Sequence, residues 1–595
     1  MSSERLVADV LVERLRAWGV PRVFGYSGDG INAFMGALRR AGGDPQFVQA
    51  RHEENAAFMA VGHAKYTGGV GVVTSTQGPG AVHLLNGLYD AKLDGVPVVA
   101  LMGQQETTVL GSQYQQEIDL HSLVKDVAAQ FSQTATSAEQ VPMLLDRAFR
   151  TALATRSPSV LVLPHDVQQL PAPDEGAHEH AVVVTAPTWR APRVVPHGED
   201  LQAAAEVLNA GRRVTLLVGQ GARAAWDEVV AVAERLGAGI TSSLLGKPFV
   251  DEALPFSAGV MGHLGTTASA FVLAECDTLL LVGTNDPWTE FYPAPGQARA
   301  VQVDLDGRHL GNRYPVEVGL TGDAAETLGA LLPLLEKRPD DAWRRDVQAH
   351  VGQWHDIAAA RAATPARPLN PELVLRELNG RLPSDAQVSV DVGSVVYWYA
   401  RQLRLPRGVP AHLSSTLASM GSALPYGLAA KLAHPERPLV ALAGDGAMQM
   451  NGLNELVTVA HRWRSWADPR FVVLVLHNGD LAEVTWEQRE TEGDPRFDDS
   501  QRLPDFPYAG YAELLGLRGI RVDDPASVPA AWDDALSADR PTVVEAVVDP
   551  DVPLLPPFPA GRAKLDTMRA GLAQEEGAGD HARALVDEYA KHEGG

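Results

Sequence analysis

A rhythm that recurs in three blocks constrains this chain most: a short apolar run, a glycine-bearing turn, then a helical pattern. Continuous apolar runs of strand length read as strands buried on both faces, and their alternation with helices builds parallel sheets. The first block holds RVFGY, FVQA, VGVVTS, PVVALMG and SVLVLP. The second holds RVTLLVG, TLLLVGT and AVQVDLD, and the third VSVDVG, LVALAGDG, FVVLVLHN and TVVEAVV. The expected fold is therefore α/β, with three doubly wound parallel-sheet domains over residues 1–170, 196–336 and 368–550. A short C-terminal tail, 551–595, completes it. The separators read as loops: PAPDEGAHEHAVVVTAPTWRAPRVVPHGED is rich in Pro, Ala and charge, and RPDDAWRRDVQAHVGQWHDIAAARAATPARP is a charged helix running into a Pro-bearing linker.

Charge narrows the partners. With 50 Lys and Arg against 74 Asp and Glu, the formal charge is −24. Such a chain is a poor general binder of nucleic acid or anionic lipid, so any anionic ligand must be met by a local device. The one cysteine, Cys276, excludes an intramolecular disulfide and a Cys-rich metal site. In AECDTLLLVG it reads as a buried thiol. The opening MSSERLVADVLVERLRAWGV reads as an amphipathic helix with Leu6, Val10 and Leu11 on one face. No apolar stretch reaches membrane-spanning length, and a cytoplasmic protein is expected. The tail's HARALVDEYAKHEGG is acidic and too sparse for interfacial binding, so a solvated or self-docking tail is expected.

The sharpest local signal is LVALAGDGAMQMNGLNELVTVA followed by FVVLVLHNGD. In a β-α-β unit both strand ends reach the same sheet edge, where open α/β sheets bind ligands. The Asp445 carboxylate, the Asn478 amide oxygen and a loop carbonyl such as that of Asp480 form a hard oxygen set suited to Mg²⁺. Gly444 and Gly446 admit close backbone approach, and the helix N-terminus that follows offers N–H groups to phosphate. GDG alone is equally a tight turn. Strand, helix, strand and Asn478 together favour a metal-diphosphate site.

Elsewhere the residues leave two readings open. Glu53, in RHEENAAFMAVGH, stands where a strand gives way to a helix, among Ala56, Phe58 and Met59. It reads either as a working carboxyl group or as an ordinary first-turn acid. The spacing does not match H-E-x-x-H, which excludes a zinc protease. Gly219-x-Gly221-x-x-Ala224, after RVTLLV, is either a weak dinucleotide fingerprint or a close strand–helix turn.

Taken together, RHEENAAF, STQGPGAVHLLNGLYDA, GVMGHLG, GTNDPWTEFYP, DVGSVVYWYARQL, ASMGSALPYGLAAKLAHPERP and GDGAMQMNGLNEL resemble the thiamine-diphosphate-dependent 2-oxoacid enzymes. The likeness is greatest to pyruvate oxidases, including the quinone-linked bacterial type, and less to acetohydroxyacid synthase. It covers nearly the whole chain, in the order pyrimidine-binding, central nucleotide-binding-like and diphosphate-binding domains. It implies thiamine diphosphate (ThDP), Mg²⁺ and FAD as cofactors. Glu53 would bond N1′ of the aminopyrimidine, and Asp445, Asn478 and the Asp480 carbonyl would ligate Mg²⁺. Met420 would hold the coenzyme bent. Gly28, Gly78, Pro79, Gly80, Gly393, Ser394, Gly444, Gly446 and Ala447 would line the ThDP site, with Gln116, Glu483 and Glu487 at the reaction centre. Gly219, Gly221, Gly262, Gly283, Thr284 and Asp304 would contact FAD.

The resemblance further implies a homodimer or homotetramer with each site between subunits. The reaction implied is decarboxylation of a 2-oxoacid, most simply pyruvate, with two electrons passing to FAD. A non-oxidative carboligase of the acetolactate synthase type is the alternative, and a catalytically silent cofactor-binding scaffold the alternative of another class. Three residues depart from the pattern. Glu483 stands where oxidases usually have Phe, Gln115 where an aromatic residue is common, and His477 replaces the first Asn of an Asn-Asn pair.

Overall fold

The computed structural model describes residues 5–173, 180, 183–338, 341–575 and 577–594. Three six-stranded parallel sheets take up the apolar runs. The first comprises β1 (Arg22–Gly25), β2 (Gln46–Gln49), β3 (Gly71–Ser75), β4 (Val98–Gln104), β5 (Ser132–Thr134) and β6 (Pro158–Pro164), in the order β2-β1-β3-β4-β6-β5. The second comprises β7 (Val214–Val218), β8 (Gly239–Ser242), β9 (Ser257–Val260), β10 (Thr278–Val282), β11 (Arg299–Asp304) and β12 (Val318–Thr321), in the order β12-β11-β10-β7-β8-β9. The third comprises β13 (Gln387–Val390), β14 (Ala411–His412), β15 (Leu439–Gly444), β16 (Phe471–His477), β17 (Arg518–Val522) and β18 (Thr542–Val547), in the order β14-β13-β15-β16-β18-β17. The central strands β4, β6, β7, β10 and β16 are buried along their whole length, which is why they read as unbroken apolar runs.

By compactness the chain divides into two units. One is residues 1–191 with 412–441 and 447–471; the other is 192–411 with 442–446 and 472–595. In the first unit, α1 (Val7–Ala17) buries Val7, Leu11 and Leu15, and Asp9 accepts the Leu6 N–H at its start. Helix α2 (Glu53–Thr67) follows β2 and is capped by His52, whose Nδ1 accepts the Glu54 N–H. Left-handed Gly68 ends it at φ 71°. Residues Asn55–Lys65 of α2 are all buried, as expected of a helix with no polar face. The short α3 (Pro79–His83) opens with Pro79 at its first position. The same unit carries α9 (Ala423–Ala433), packed on α2, and α10 (Leu453–Arg462).

The second unit carries α4 (Trp226–Leu236) and α5 (Thr267–Glu275) on the central sheet, then α6 (Ala342–Ala363), α7 (Pro371–Arg376), α8 (Ser394–Gln402) and α11 (Ala482–Thr491). The tail forms two helices, α12 (Ala560–Leu572) and α13 (Ala578–His592), and it docks. Val586 and Tyr589 are fully buried. Arg361 of α6 donates to Glu372 of α7 and to Glu593 beyond α13. All three side chains are fully buried, and Glu593 also accepts the Phe558 N–H. Charges so placed are tolerated only when paired. Cys276 is buried with its thiol on the Leu273 carbonyl, and burial pushes that thiol up to about 12. Among the described residues no helix is long and apolar enough to cross a membrane.

Candidate functional site

At the carboxyl edge of the third sheet, β15 ends at Gly444 and β16 ends at His477. Asp445 lies buried between these ends. Its Oδ1 accepts the Gly446 N–H, and its Oδ2 accepts those of Asn478 (3.0 Å) and Gly479 (2.6 Å). Burial nevertheless pushes its carboxyl up to about 6, against the opposing pull of His477 and of the backbone N–H groups. A buried anion is costly, and a bound cation relieves that cost. A Cβ added at Gly393, Gly444 or Gly479 would meet no atom within 4 Å, so these glycines face open space. Gly393 (φ 121°) and Gly479 (φ 67°) adopt backbones that other residues rarely take. The Asn478 side-chain oxygen accepts the Asp480 N–H and keeps a second lone pair. The Asp480 carboxylate pairs instead with Arg496 at 3.2 Å, which leaves only its carbonyl as a candidate ligand. The donor set is hard oxygen beside glycine backbone, and it fits Mg²⁺ and a diphosphate.

His477, beside Asn478, is held at 3.1 Å by Glu545, which raises its pKa, and it lies edge-on to Tyr508. The Tyr508 hydroxyl donates to the Asp445 carbonyl. Ser394 is the first residue of α8, directly after Gly393, and Ala447 is buried. After the GDG turn the chain runs as a π-helix, Met448–Gly452, before α10 begins. Such single turns recur at functional sites.

Glu53 lies at the start of α2 in the first unit. Its Oε2 is 2.9 Å from His83 Nδ1. The loop from Ser75 to Gly80 brings two expected residues to one place. A Cβ at Gly80 would come 3.4 Å from Glu53 Oε1, and one at Gly78 would come 2.8 Å from Gln116. Gln116 is held in a left-handed backbone (φ 62°), and its Oε1 accepts from Gln77, which also donates to Asp29. Gly28 faces Thr76, 2.5 Å from where a Cβ would be, so it serves the packing of two loops. Gln115 is exposed, with its carbonyl bonded to Gln105. Met420 is half-buried in the same unit, two residues after left-handed Ala418.

In the second unit, Glu483, Glu487 and Glu490 share one face of α11 at i, i+4 and i+7. Burial, and then Glu487, push the Glu483 carboxyl up to about 7. Burial, and then Glu490, raise Glu487. Glu483 can therefore hold or release a proton near neutral pH. The buried Tyr397 of α8 lies in the field of all three acids.

The central sheet carries its crossover point between β7 and β10, a strand order that binds dinucleotides at the adjoining strand ends. The Gly219 N–H bonds the Val282 carbonyl at 2.9 Å, and the Gly221 N–H bonds that of Gly283 at 3.0 Å. Cβ atoms at Gly219 and Gly221 would come 2.4 Å from the Gly283 oxygen and 2.7 Å from its Cα. Close strand-end packing thus accounts for these glycines whether or not a nucleotide binds. Gly262 (φ 85°) lies under Trp288, Thr284 is buried, and Asp304 ends β11 with the Asp306 N–H on its carboxylate. The strand order and an acid at a strand end fit FAD.

Residue patterns did not single out His83, His263, Tyr397 or Glu490. His83 stands just after the GPG turn, and that position was the available signal. His263 follows Gly262, bonds Glu290 at 2.8 Å and packs edge-on to Trp288 and Phe291.

Comparison with known proteins adds three domain matches. Residues 5–123 match the N-terminal TPP binding domain of thiamine pyrophosphate enzymes, 201–331 their central domain, and 391–546 their C-terminal TPP binding domain. The chain is 35% identical, over 94% of its length and 95% of the relative's, to a Bacillus subtilis protein whose name ascribes thiamine pyrophosphate to it without an activity. It is 31% identical to the pyruvate oxidase of Lactiplantibacillus plantarum, over 96% of this chain and 92% of the relative. It is 32% identical to the acetolactate synthase isozyme 2 large subunit of Escherichia coli, over 94% and 99%.

Proposed function

Because the chain belongs to the thiamine pyrophosphate enzyme family, we propose that it is a ThDP- and Mg²⁺-dependent 2-oxoacid decarboxylase that passes two electrons to FAD, with pyruvate as the simplest substrate. The observation that carries this reading is Asp445: a buried carboxylate on three backbone N–H groups, beside glycines that face open space. Asp445, Asn478 and the Asp480 carbonyl would hold Mg²⁺, and the backbone from Gly444 to Ala447 would approach the diphosphate. Glu53 would bond the aminopyrimidine N1′ from a second subunit, making the working form a homodimer or homotetramer. Met420 would support the bent coenzyme. Bound there, the coenzyme supplies the electron sink that lets a 2-oxoacid lose CO₂. Gln116 would orient the substrate, while Glu483 and Glu487 hold or give up protons beside it.

A carboligase of the acetolactate synthase type is the second reading, favoured by the full-length likeness to the Escherichia coli relative. An absorbance spectrum followed by anaerobic addition of pyruvate separates the two. The oxidase reading expects a flavin band that bleaches. Acetolactate formed without bleaching supports the carboligase. Failure of the bound coenzyme to exchange its C2 proton would leave a silent scaffold.

A further inference from the structure

We propose that His83 is a positioning residue for Glu53: it donates from Nδ1 to Oε2 of the carboxylate and leaves Oε1 as the oxygen that meets the coenzyme's ring nitrogen. This rests on the ThDP reading above. The contact is 2.9 Å, between a Glu53 side chain that is 12% exposed and a His83 side chain that is 40% exposed. The two carboxylate oxygens therefore have different surroundings. Oε2 is taken by the imidazole, while Oε1 lies on the side of Gly80, which carries no Cβ to crowd it.

The imidazole is itself held. His83 closes α3, whose start is fixed by Gly78 and Pro79. Its ring lies against that of His52, with centroids 4.4 Å apart. His52 has no freedom to turn, because its Nδ1 accepts the Glu54 N–H as the cap of α2. One ring nitrogen each of His52 and His83 and one carboxylate oxygen of Glu53 lie within 4.8 Å of one another.

The physical need is plain. The terminal torsion of a glutamate is soft and roughly two-fold, so an unrestrained carboxylate presents either oxygen at a variable angle. One charge-assisted hydrogen bond to Oε2 removes that freedom and fixes the direction in which Oε1 meets a ring nitrogen. Proton transfer depends steeply on such geometry.

The test uses full-length enzyme loaded with ThDP and Mg²⁺, as wild type, His83→Ala, His83→Asn, Glu53→Gln and the His83→Ala/Glu53→Gln double variant. Two quantities are read: the calorimetric Kd for ThDP, and the rate of deuterium exchange at the coenzyme's C2 after acid quench. Loss of an orienting partner costs roughly 10- to 100-fold, so His83→Ala should slow exchange by about tenfold or more. His83→Asn still offers an N–H toward Oε2 and should return to within about threefold of wild type. In the Glu53→Gln background, His83→Ala should change exchange by less than about twofold, since residues acting as a unit are not additive. The Kd should move little in the His83 variants, because the imidazole acts through Glu53. Wild-type exchange in His83→Ala, an Asn variant as slow as the Ala variant, or an undiminished effect without Glu53 would each overturn the proposal alone. A wild-type enzyme that takes up no ThDP would overturn the parent reading and this one with it.

Discussion

The first and third sheets run through the same strand order, and both place their crossover point between the first and third strands of the domain. The two edges are nevertheless built in opposite ways. At the first, glycines are hemmed in by the protein itself. A Cβ at Gly25 would sit 2.6 Å from the Thr74 carbonyl, one at Gly28 2.5 Å from Thr76, and one at Gly30 1.7 Å from Gln77. At the third, Gly393 and Gly444 face open space beside a buried carboxylate. Topology decides where an edge site lies, and side chains decide whether the edge is filled or left for a ligand. The filled edge presents one hydrogen-bonding carboxyl, Glu53. The open edge presents carboxylate and amide oxygens and backbone.

The comparison can be broken in several ways. The third domain leans on a docked tail, so the largest expected effect is from Glu593→Ala. It strips one carboxylate from the buried Arg361 and should cost about 3 kcal/mol, read from urea unfolding. Stability equal to wild type would show that the tail anchors nothing.

Asp445→Ala should leave the fold intact and remove Mg²⁺-dependent ThDP uptake. Losing even an outer-shell partner costs about 10- to 100-fold in affinity, and a direct ligand should cost at least that. A glycine pair then tests filled against open directly. Gly28→Ala should collide with Thr76 and cost about 1–3 kcal/mol, seen as a lower Tm. Gly444→Ala should leave Tm near wild type while weakening ThDP binding. The reverse pattern would invert the account of the two edges.

The smallest effect concerns pH. Glu483 is raised in the folded state to about 7, from an ordinary 4.5. The native protein therefore holds this proton more tightly than the unfolded chain does. The stability so contributed is fully present below about 4.5 and is lost as pH rises through about 7. Glu483→Gln should flatten that part of the Tm–pH curve. An unchanged slope would place the titration elsewhere.

Legibility in the sequence tracked burial. Strands β4, β7, β10, β15 and β16 are buried on both faces and announce themselves as apolar runs. The edge strands β5, β12 and β17 are short and largely half-exposed, so no apolar run marks them. The tail read as solvated or self-docking, and the sequence did not decide between the two because its anchor is a buried ion network spread over α6, α7 and Glu593. No local window contains it. At the site, GDG and Asn478 were readable because one β-α-β unit joins them. His83 was not, because its meaning depends on a contact to Glu53, thirty positions earlier in the chain. Of the acids of α11, Glu483 and Glu487 entered through the family resemblance and Glu490 was not singled out. The raised proton affinity of Glu483 comes from burial that the sequence does not reveal.

The most direct test of the open edge is a calorimetric titration of purified protein with ThDP, with and without Mg²⁺. Saturable uptake of one ThDP per chain, abolished by a chelator and absent in Asp445→Ala, is the predicted result. No uptake by the wild type, or uptake indifferent to both the metal and Asp445, would contradict it.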